Sequence, residues 1–367
     1  MEKETGETDM KKAVILIVSF LLLTACGNTR VVDDLDLAQA IGFDLAEEGE
    51  IKGMFVIPLF KKEEQGKYRI VESFSKSASD AQVEVSKKAP RPIVLGQTRV
   101  VLLSEDVVQE KGIHHLLDFL NRDPSVGSRV NVAIVKGSVH EILYTKFKES
   151  NLNIGVYVSD TINQQSKVGN GPKINLQIFT KDNLEDNGNG YLPVIKKEKG
   201  EIGVSGIVLF EKERIVGRIP TDKMFVFKSL IERHKRGFYY LQTKEFKNIV
   251  LENIVGGSTY SVKKKAGKPA VHITIKIKGE LKEVTAKKRL NKTETVKIEK
   301  ILEKHLAKES EQLISKLQKK NIDPFGMKKR VHAQNKNLTE KKWQEMYPEM
   351  PIHVKAEVDI IQTGTIE

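Results

Sequence analysis

The sequence predicts an α+β protein of about three domains, with mixed sheets each packed with helices. Three observations carry this. The chain has 367 residues, enough for two or three domains at roughly 100–200 residues each. Its first half alternates short apolar runs with helix-spaced segments. Its second half combines cleanly alternating strands with one long amphipathic helix.

In chain order, Leu37–Leu45 and Ile51–Phe60 are β-like runs joined by the Gly-bearing loop 46–50. Ser77–Lys88 has helical spacing at Ala78, Ala81 and Val85 and stops before Pro90 and Pro92. Arg99–Leu103 reads as a strand. Ser104, Glu105 and Asp106 then supply a cap and a negative first turn for a helix reaching Leu120. Val130–Val135 is the next strand. Residues 146–200 are rich in Asn, Gly and Lys and read as a small loop-rich region, with a boundary near 196–200. Beyond it, Val204–Phe210 and Ile215–Ile219 form a hairpin. Thr221 opens a helix ending at Gly237. Strands follow near 248–254, 258–263 and 271–278. A helix over 294–320 carries an apolar stripe through Leu302, Leu306, Leu313 and Leu317, read as core. Ile352–Ile360 alternates as a final strand. The expected domains are 37–145 (N-terminal α/β), 146–200 (middle) and 201–367 (C-terminal α+β).

The N-terminus is different in kind. Lys11 and Lys12 precede an apolar run from Ala13 to Leu23 that is too short to cross a bilayer, which needs about 20 residues. This is a signal peptide over residues 1–25, with Met10 as the expected start because the residues before it are acidic. It ends in Leu23-Thr24-Ala25-Cys26, which resembles the lipobox of bacterial lipoproteins. Cys26 is the chain's one cysteine, so it has no intramolecular disulfide partner. It is the expected acyl acceptor, and residues 26–36 are the expected tether. Two acyl chains anchor stably where one is marginal.

Composition and motifs exclude much. Apolar residues are 39% and charged residues 30%, with a formal net charge of +12. The lysines are spread among glutamates, and no nucleic-acid-binding signature accompanies them. A basic exterior near anionic lipid headgroups accounts for the balance. There is no P-loop, dinucleotide fingerprint, His-Glu-x-x-His or Cys-x-x-Cys. Gly203-Val204-Ser205-Gly206 lacks nucleophile-elbow spacing and reads as sheet packing. His114 and His115 point about 100° apart on a helix and cannot chelate one metal. Asp33-Asp34 and Glu47-Glu48 read as solvated loop charge. Trp343 with Tyr347-Pro348 reads as core beneath the last strand. No catalytic residue, metal site or cofactor site is expected.

The order of several segments resembles the spore germination receptor C-subunit family, the Ger(x)C lipoproteins of endospore-forming bacteria. After the lipobox come Ala40-Ile41-Gly42-Phe43-Asp44, Thr98–Leu103, Lys111-Gly112-Ile113 and Leu116–Pro124. In the second half come Val204-Ser205-Gly206 with Leu209-Phe210, Asn321-Ile322-Asp323-Pro324-Phe325-Gly326, and Trp343 with Tyr347-Pro348. A closing strand ends in Thr363-Gly364. Departures are Gly27-Asn28 where members often have Trp-Asp, and Ile361-Gln362 where two basic residues often stand. The resemblance implies three mixed α/β domains without a catalytic site. It implies a place on the outer face of the spore inner membrane and assembly with two polytopic subunits, one transporter-like. It implies a part in nutrient sensing that triggers release of ions and dipicolinic acid. The alternative is a free-standing solute-binding lipoprotein beside a transporter. Such proteins have two similar lobes around an aromatic-lined cleft, whereas this chain has one Trp and no repeated lobe.

Cys26→Ser is expected to leave the precursor uncut or to release the protein from the membrane. Labelled-palmitate incorporation with membrane fractionation reads this out, and unchanged acylation with full retention would contradict the anchor.

Overall fold

The computed structural model describes residues 34–59, 67–146, 153–184, 189–265, 268–285 and 290–363. Cys26 and the box residues Leu23, Thr24 and Ala25 lie outside the described residues. The fold is the expected α+β arrangement of mixed sheets packed with helices.

After the short β1 (Asp36–Leu37), an eight-stranded sheet takes up β2 (Ala40–Leu45), β3 (Ile51–Pro58), β4 (Tyr68–Ser75), β6 (Val100–Ser104), β7 (Asn131–Val135), β8 (Tyr191–Glu198), β9 (Glu201–Glu211) and β10 (Arg214–Pro220). The spatial order is β10-β9-β8-β7-β6-β2-β3-β4. The remaining strand, β5 (Ile93–Val94), pairs in parallel with β1. The central strands β2, β6, β7 and β8 are mutually parallel.

Parallel strands need cover on both faces. β6 shows why. Val101 and Leu103 join one apolar cluster, while Val100 and Leu102 join another on the opposite face. The first face packs α1 (Ala78–Lys88), α2 (Glu105–Lys111) and α3 (Ile113–Arg122). The second packs α4 (Val139–Leu143) and α5 (Ile154–Lys167). A further helix, α6 (Leu176–Leu184), returns to the first face through Leu176 and Phe179.

Around this sheet the structure adds detail to the sequence expectation at several points. The helix expected to run from Glu105 to Leu120 breaks at Gly112, whose φ is +81°. The break lets Glu213 reach in, its carbonyl accepting from Ile113 N–H at 3.2 Å and its carboxylate from His114 N–H at 2.9 Å. Residues 146–200, expected to be a small loop-rich region, include α5, α6 and β8. The buried face of α5 includes Gly155 and Ser159, so its apolar stripe is thin. Gly155 is needed there, because a Cβ would come within 2.9 Å of Ala40 Cβ. Lastly, the boundary expected near 196–200 falls at the Lys199-Gly200 turn between β8 and β9, within the eight-stranded sheet. β9 and β10, which open the 201–367 segment, complete the eight-stranded sheet through β8.

The second sheet has the order β11-β12-β13-β14. It is made of β11 (Tyr239–Thr243), β12 (Lys247–Lys265), β13 (Lys268–Val284) and β14 (Ile352–Thr363). The strands expected at 248–254 and 258–263 are one bulged strand, β12. β13 and β14 are parallel, so the chain between them must cross over. It does so through α8 (Lys292–Gln318), α9 (Met327–Gln334) and α10 (Glu340–Met346). Asn291 and Glu294 start α8 with a reciprocal capping box. Ile298, Leu302, Leu306, Leu313 and Leu317 are buried, as the stripe predicted. The same helix shields the sheet edge. Glu299, Glu303 and Glu311 accept the outward N–H groups of Ile360, Val358 and Val354 at 3.0–3.1 Å. An edge strand so occupied offers no template for a further strand.

Between the sheets lies α7 (Met224–Ile231), buried from Met224 to Leu230 and apolar except for Lys228 and Ser229. The Lys228 ammonium donates to the carbonyls of Ser166 and Gly169 at 3.1 and 2.9 Å, at the C-terminal end of α5. That end carries the negative pole of the helix dipole. Burial pushes Lys228 down from its ordinary value, and nearby Glu232 partly offsets this. Glu232 accepts from Lys173 N–H at 3.0 Å, and Asn170 Oδ1 from Phe238 N–H at 3.1 Å.

Lys228→Met keeps the bulk but leaves two carbonyls without their donor. It is expected to cost roughly 1–3 kcal/mol in urea unfolding. No loss would mean that apolar packing alone holds this joint.

Candidate functional site

Two corners of the fold collect the residues that the sequence singled out. The first is an open groove with a cavity volume of about 1130 Å³. It lies at the carboxyl ends of β2, β6 and β7, where open α/β sheets place ligands. Asp44, Glu47, Lys52, Phe74, Asp106 and His140 line it.

The run Ala40–Asp44 builds its floor. Gly42 admits α4, since a Cβ there would meet Val139 Cγ1 at 2.5 Å. Phe43 turns inward between Phe55 and Phe119, edge-on to both. The Asp44 carboxylate is spent on α4: it accepts from Ser138 Oγ–H at 2.7 Å, Val139 N–H at 2.8 Å and His140 N–H at 2.9 Å. Ser104, at the end of β6, caps α2 by accepting from Val107 N–H at 3.3 Å. Glu72 pairs with Lys52 at 3.1 Å and accepts from the Tyr144 hydroxyl at 3.1 Å. Desolvation and Glu72 together raise the Tyr144 phenol above its ordinary value. The His140 ring stacks on Tyr144 with centroids 4.2 Å apart. The Ser104 hydroxyl and the buried Asp44 carboxylate thus serve as helix caps, and the Ser138 hydroxyl is spent on Asp44. The groove can hold a polar group at its rim, but those residues are not arrayed as a nucleophile with its base.

The second corner joins Asn321–Gly326 to Trp343 and Tyr347. Asn321 and Gly326 have φ of +58° and +65°, and turn the chain from α8 into α9. Asp323 is 2% exposed and caps α9, accepting from Lys328 N–H at 2.8 Å, while its Oδ1 has no partner. Phe325 packs on Phe227. Trp343 is buried and stacks on Tyr347 with centroids 4.6 Å apart. The Tyr347 hydroxyl donates to the Ile322 carbonyl at 3.1 Å. Gln318 ties the corner to α8, donating to the carbonyls of Tyr347 and Met350.

The remaining candidates also serve structure. His114 sits 2.6 Å from Glu213 and 2.8 Å from Asn183, while the neighbouring His115 is exposed. Gly206 has φ +145° in β9, where a Cβ would lie 2.6 Å from the Ile219 carbonyl. Asp34 is exposed and Glu47-Glu48 lie in a turn. Among the described residues no group of three or more His, Cys, Asp and Glu could hold a metal ion. Sequence reasoning missed Lys228, Glu72 and the role of Asp323. For Asp323 a signal existed: an Asp just ahead of a Pro-Phe-Gly turn and a helix start.

Comparison with known proteins places both corners in one lineage. A family model described as the spore germination protein N-terminal domain matches residues 28–197. One described as spore germination B3/GerAC like, C-terminal, matches residues 205–364. The chain belongs to the GerAC spore germination family. Among its GerAC relatives, spore germination protein GerQC of Bacillus cereus is 32% identical over 366 residues, covering 98% of this chain and 100% of the relative. Spore germination protein KC of Bacillus subtilis (strain 168) is 23% identical, covering 96% and 95%. The crystal structure of the GerBC protein has a TM-score of 0.54 at 20% identity, covering 88% of this chain and 96% of that one, a likeness of fold. The two GerAC models meet between 197 and 205, inside the eight-stranded sheet.

The Asp323 carboxyl is raised above its ordinary value by desolvation, which the N–H groups of Lys328, Met327 and Phe325 and the charge of Arg330 only partly offset. The folded chain therefore holds this proton more tightly than the unfolded chain. The resulting stability is present below the ordinary carboxylate value and is lost as pH rises through the folded one. Asp323→Asn and Asp323→Ala are both expected to flatten that loss in urea titrations across pH, with Asp323→Ala lying about 1 kcal/mol below Asp323→Asn through the lost cap. An unchanged pH slope in Asp323→Asn would contradict this.

Proposed function

We propose that this chain is the lipid-anchored, non-catalytic C subunit of a nutrient germinant receptor, held on the outer face of the spore inner membrane. One observation carries the reading. The two GerAC models run in order over nearly the whole chain, directly behind a lipobox-like Leu23-Thr24-Ala25-Cys26. Relatives that span it end to end are spore germination proteins.

Among the described residues no helix is long and apolar enough to cross a membrane. In this reading, acyl chains on Cys26 hold the protein at the bilayer. Its partners are two polytopic membrane subunits, one transporter-like, which carry the signal across. The role is assembly and signalling. It fits a fold whose motif residues are spent on helix caps and turns, such as Asp44 and Asp323.

Spores lacking the gene are expected to lose dipicolinic acid release to some nutrients while responding normally to dodecylamine, which bypasses the receptors. Normal release to every nutrient, in a strain stripped of other receptors, would sink the proposal.

A further inference from the structure

The positive charge of this chain is concentrated at one end of the second sheet. Residues 261–272 and 327–351 together hold ten Lys and Arg against three Asp and Glu, whereas the whole chain holds 61 against 49. The fold brings these segments together. β12 and β13 pair out to Lys265 and Lys268. Alongside, α9 lies against β12: Gln334 donates to the Val262 carbonyl at 3.1 Å, and the Arg330 guanidinium sits 4.3 Å over the Tyr260 ring. Val271 N–H donates to the Pro351 carbonyl, which brings the stretch after α10 to the same end.

Charge pairing changes along this hairpin. Lys276, Lys278 and Lys282 are neutralised by Glu357, Asp359 and Glu252 at 2.6–2.9 Å. Lys263, Lys264 and Lys268 are exposed, and among the described residues no carboxylate pairs with them. Lys336, Lys341 and Lys342 are exposed and likewise unpaired among the described residues. The local field is felt by His272, which partial desolvation and the charges of Lys263 and His353 hold below its ordinary value.

We propose that this end, centred on Lys263, Lys264 and Lys268, docks on a bilayer surface bearing anionic phospholipid headgroups. The chemistry selects that occupant. Nine of the ten cations are lysines, point charges suited to mobile phosphodiesters. The one arginine, Arg330, is engaged with Tyr260 and with the Phe325 and Gly326 carbonyls. The aromatic residues of this end, Trp343 and Tyr347, are buried against each other and give bases nothing to stack on. The proposal takes its setting from the lipid-anchored reading: an acyl tether and a basic face would fix two points and so orient the domains on the membrane.

The test uses the full chain carrying Cys26→Ser, so that it does not depend on acylation. Binding is measured by flotation with phosphatidylcholine vesicles, with and without phosphatidylglycerol, over a range of salt. The apolar N-terminal segment sets the baseline on neutral vesicles, and the gain from phosphatidylglycerol is the readout. That gain is expected to fall with salt. At up to about 1 kcal/mol for each lysine near the surface, K263Q/K264Q/K268Q should reduce it on the order of a hundredfold. K276Q/K278Q/K282Q, which removes the same charge from paired positions, should change it little. No gain from phosphatidylglycerol, an undiminished gain in the first variant, or equal losses in both variants would overturn the proposal. So would a first variant that loses binding to poly(U) but keeps its gain on vesicles, since the face would then belong to nucleic acid. None of these failures bears on whether Cys26 is acylated.

Discussion

A buried ammonium holds the middle of this molecule. Lys228 sits in an otherwise apolar helix and reaches the carbonyls of Ser166 and Gly169, where α5 ends. Burying a cation is costly unless it is hydrogen-bonded and meets opposite charge. Here the helix-end carbonyls, the negative pole of the α5 dipole and nearby Glu232 supply both. The segment they tie down begins in the part matched by the N-terminal GerAC model, and α7 belongs to the part matched by the C-terminal model. Two further bonds, from Lys173 N–H to Glu232 and from Phe238 N–H to Asn170, set the same register. The joint is thus polar and directional. It fixes one arrangement of the two sheets where apolar contact alone would tolerate sliding.

The family motifs obey the same logic. Ala40–Asp44 and Asn321–Gly326 each place an aspartate at a helix start and a glycine where the backbone must pass closely or turn left-handed. The caps at Asp44 and Asp323 secure α4 against the first sheet and α9 beside the second. What such motifs preserve is shape. The chemistry offered to other molecules therefore lies on the surfaces, in charge that the fold leaves unneutralised at the end of the β12–β13 pair.

Much of this architecture was legible in the sequence because periodicity was strong where burial was one-sided. Val271–Lys278 alternated cleanly since only one face of β13 is buried there. The α8 stripe was equally plain. Legibility failed where small residues replaced apolar ones, as in α5 with Gly155 and Ser159. It failed again at Gly112, where a single glycine at positive φ splits one apolar-periodic run into two helices and Glu213 fills the break. The corner at Asp323 was readable as a motif but not as a buried cap, because the corner packs on other elements, with Phe227 on Phe325 and Tyr347 on the Ile322 carbonyl. Lys228 gave no signal at all, since one lysine in a helix usually faces water.

The central claim is membership in a receptor, and its most direct measurement is the company the protein keeps. Spore inner membranes would be cross-linked in place, solubilised gently, and the chain recovered by a C-terminal tag. The account predicts co-recovery of two polytopic membrane proteins in fixed proportion, one of them transporter-like. Recovery alone, or with a permease and its ATPase, would contradict it.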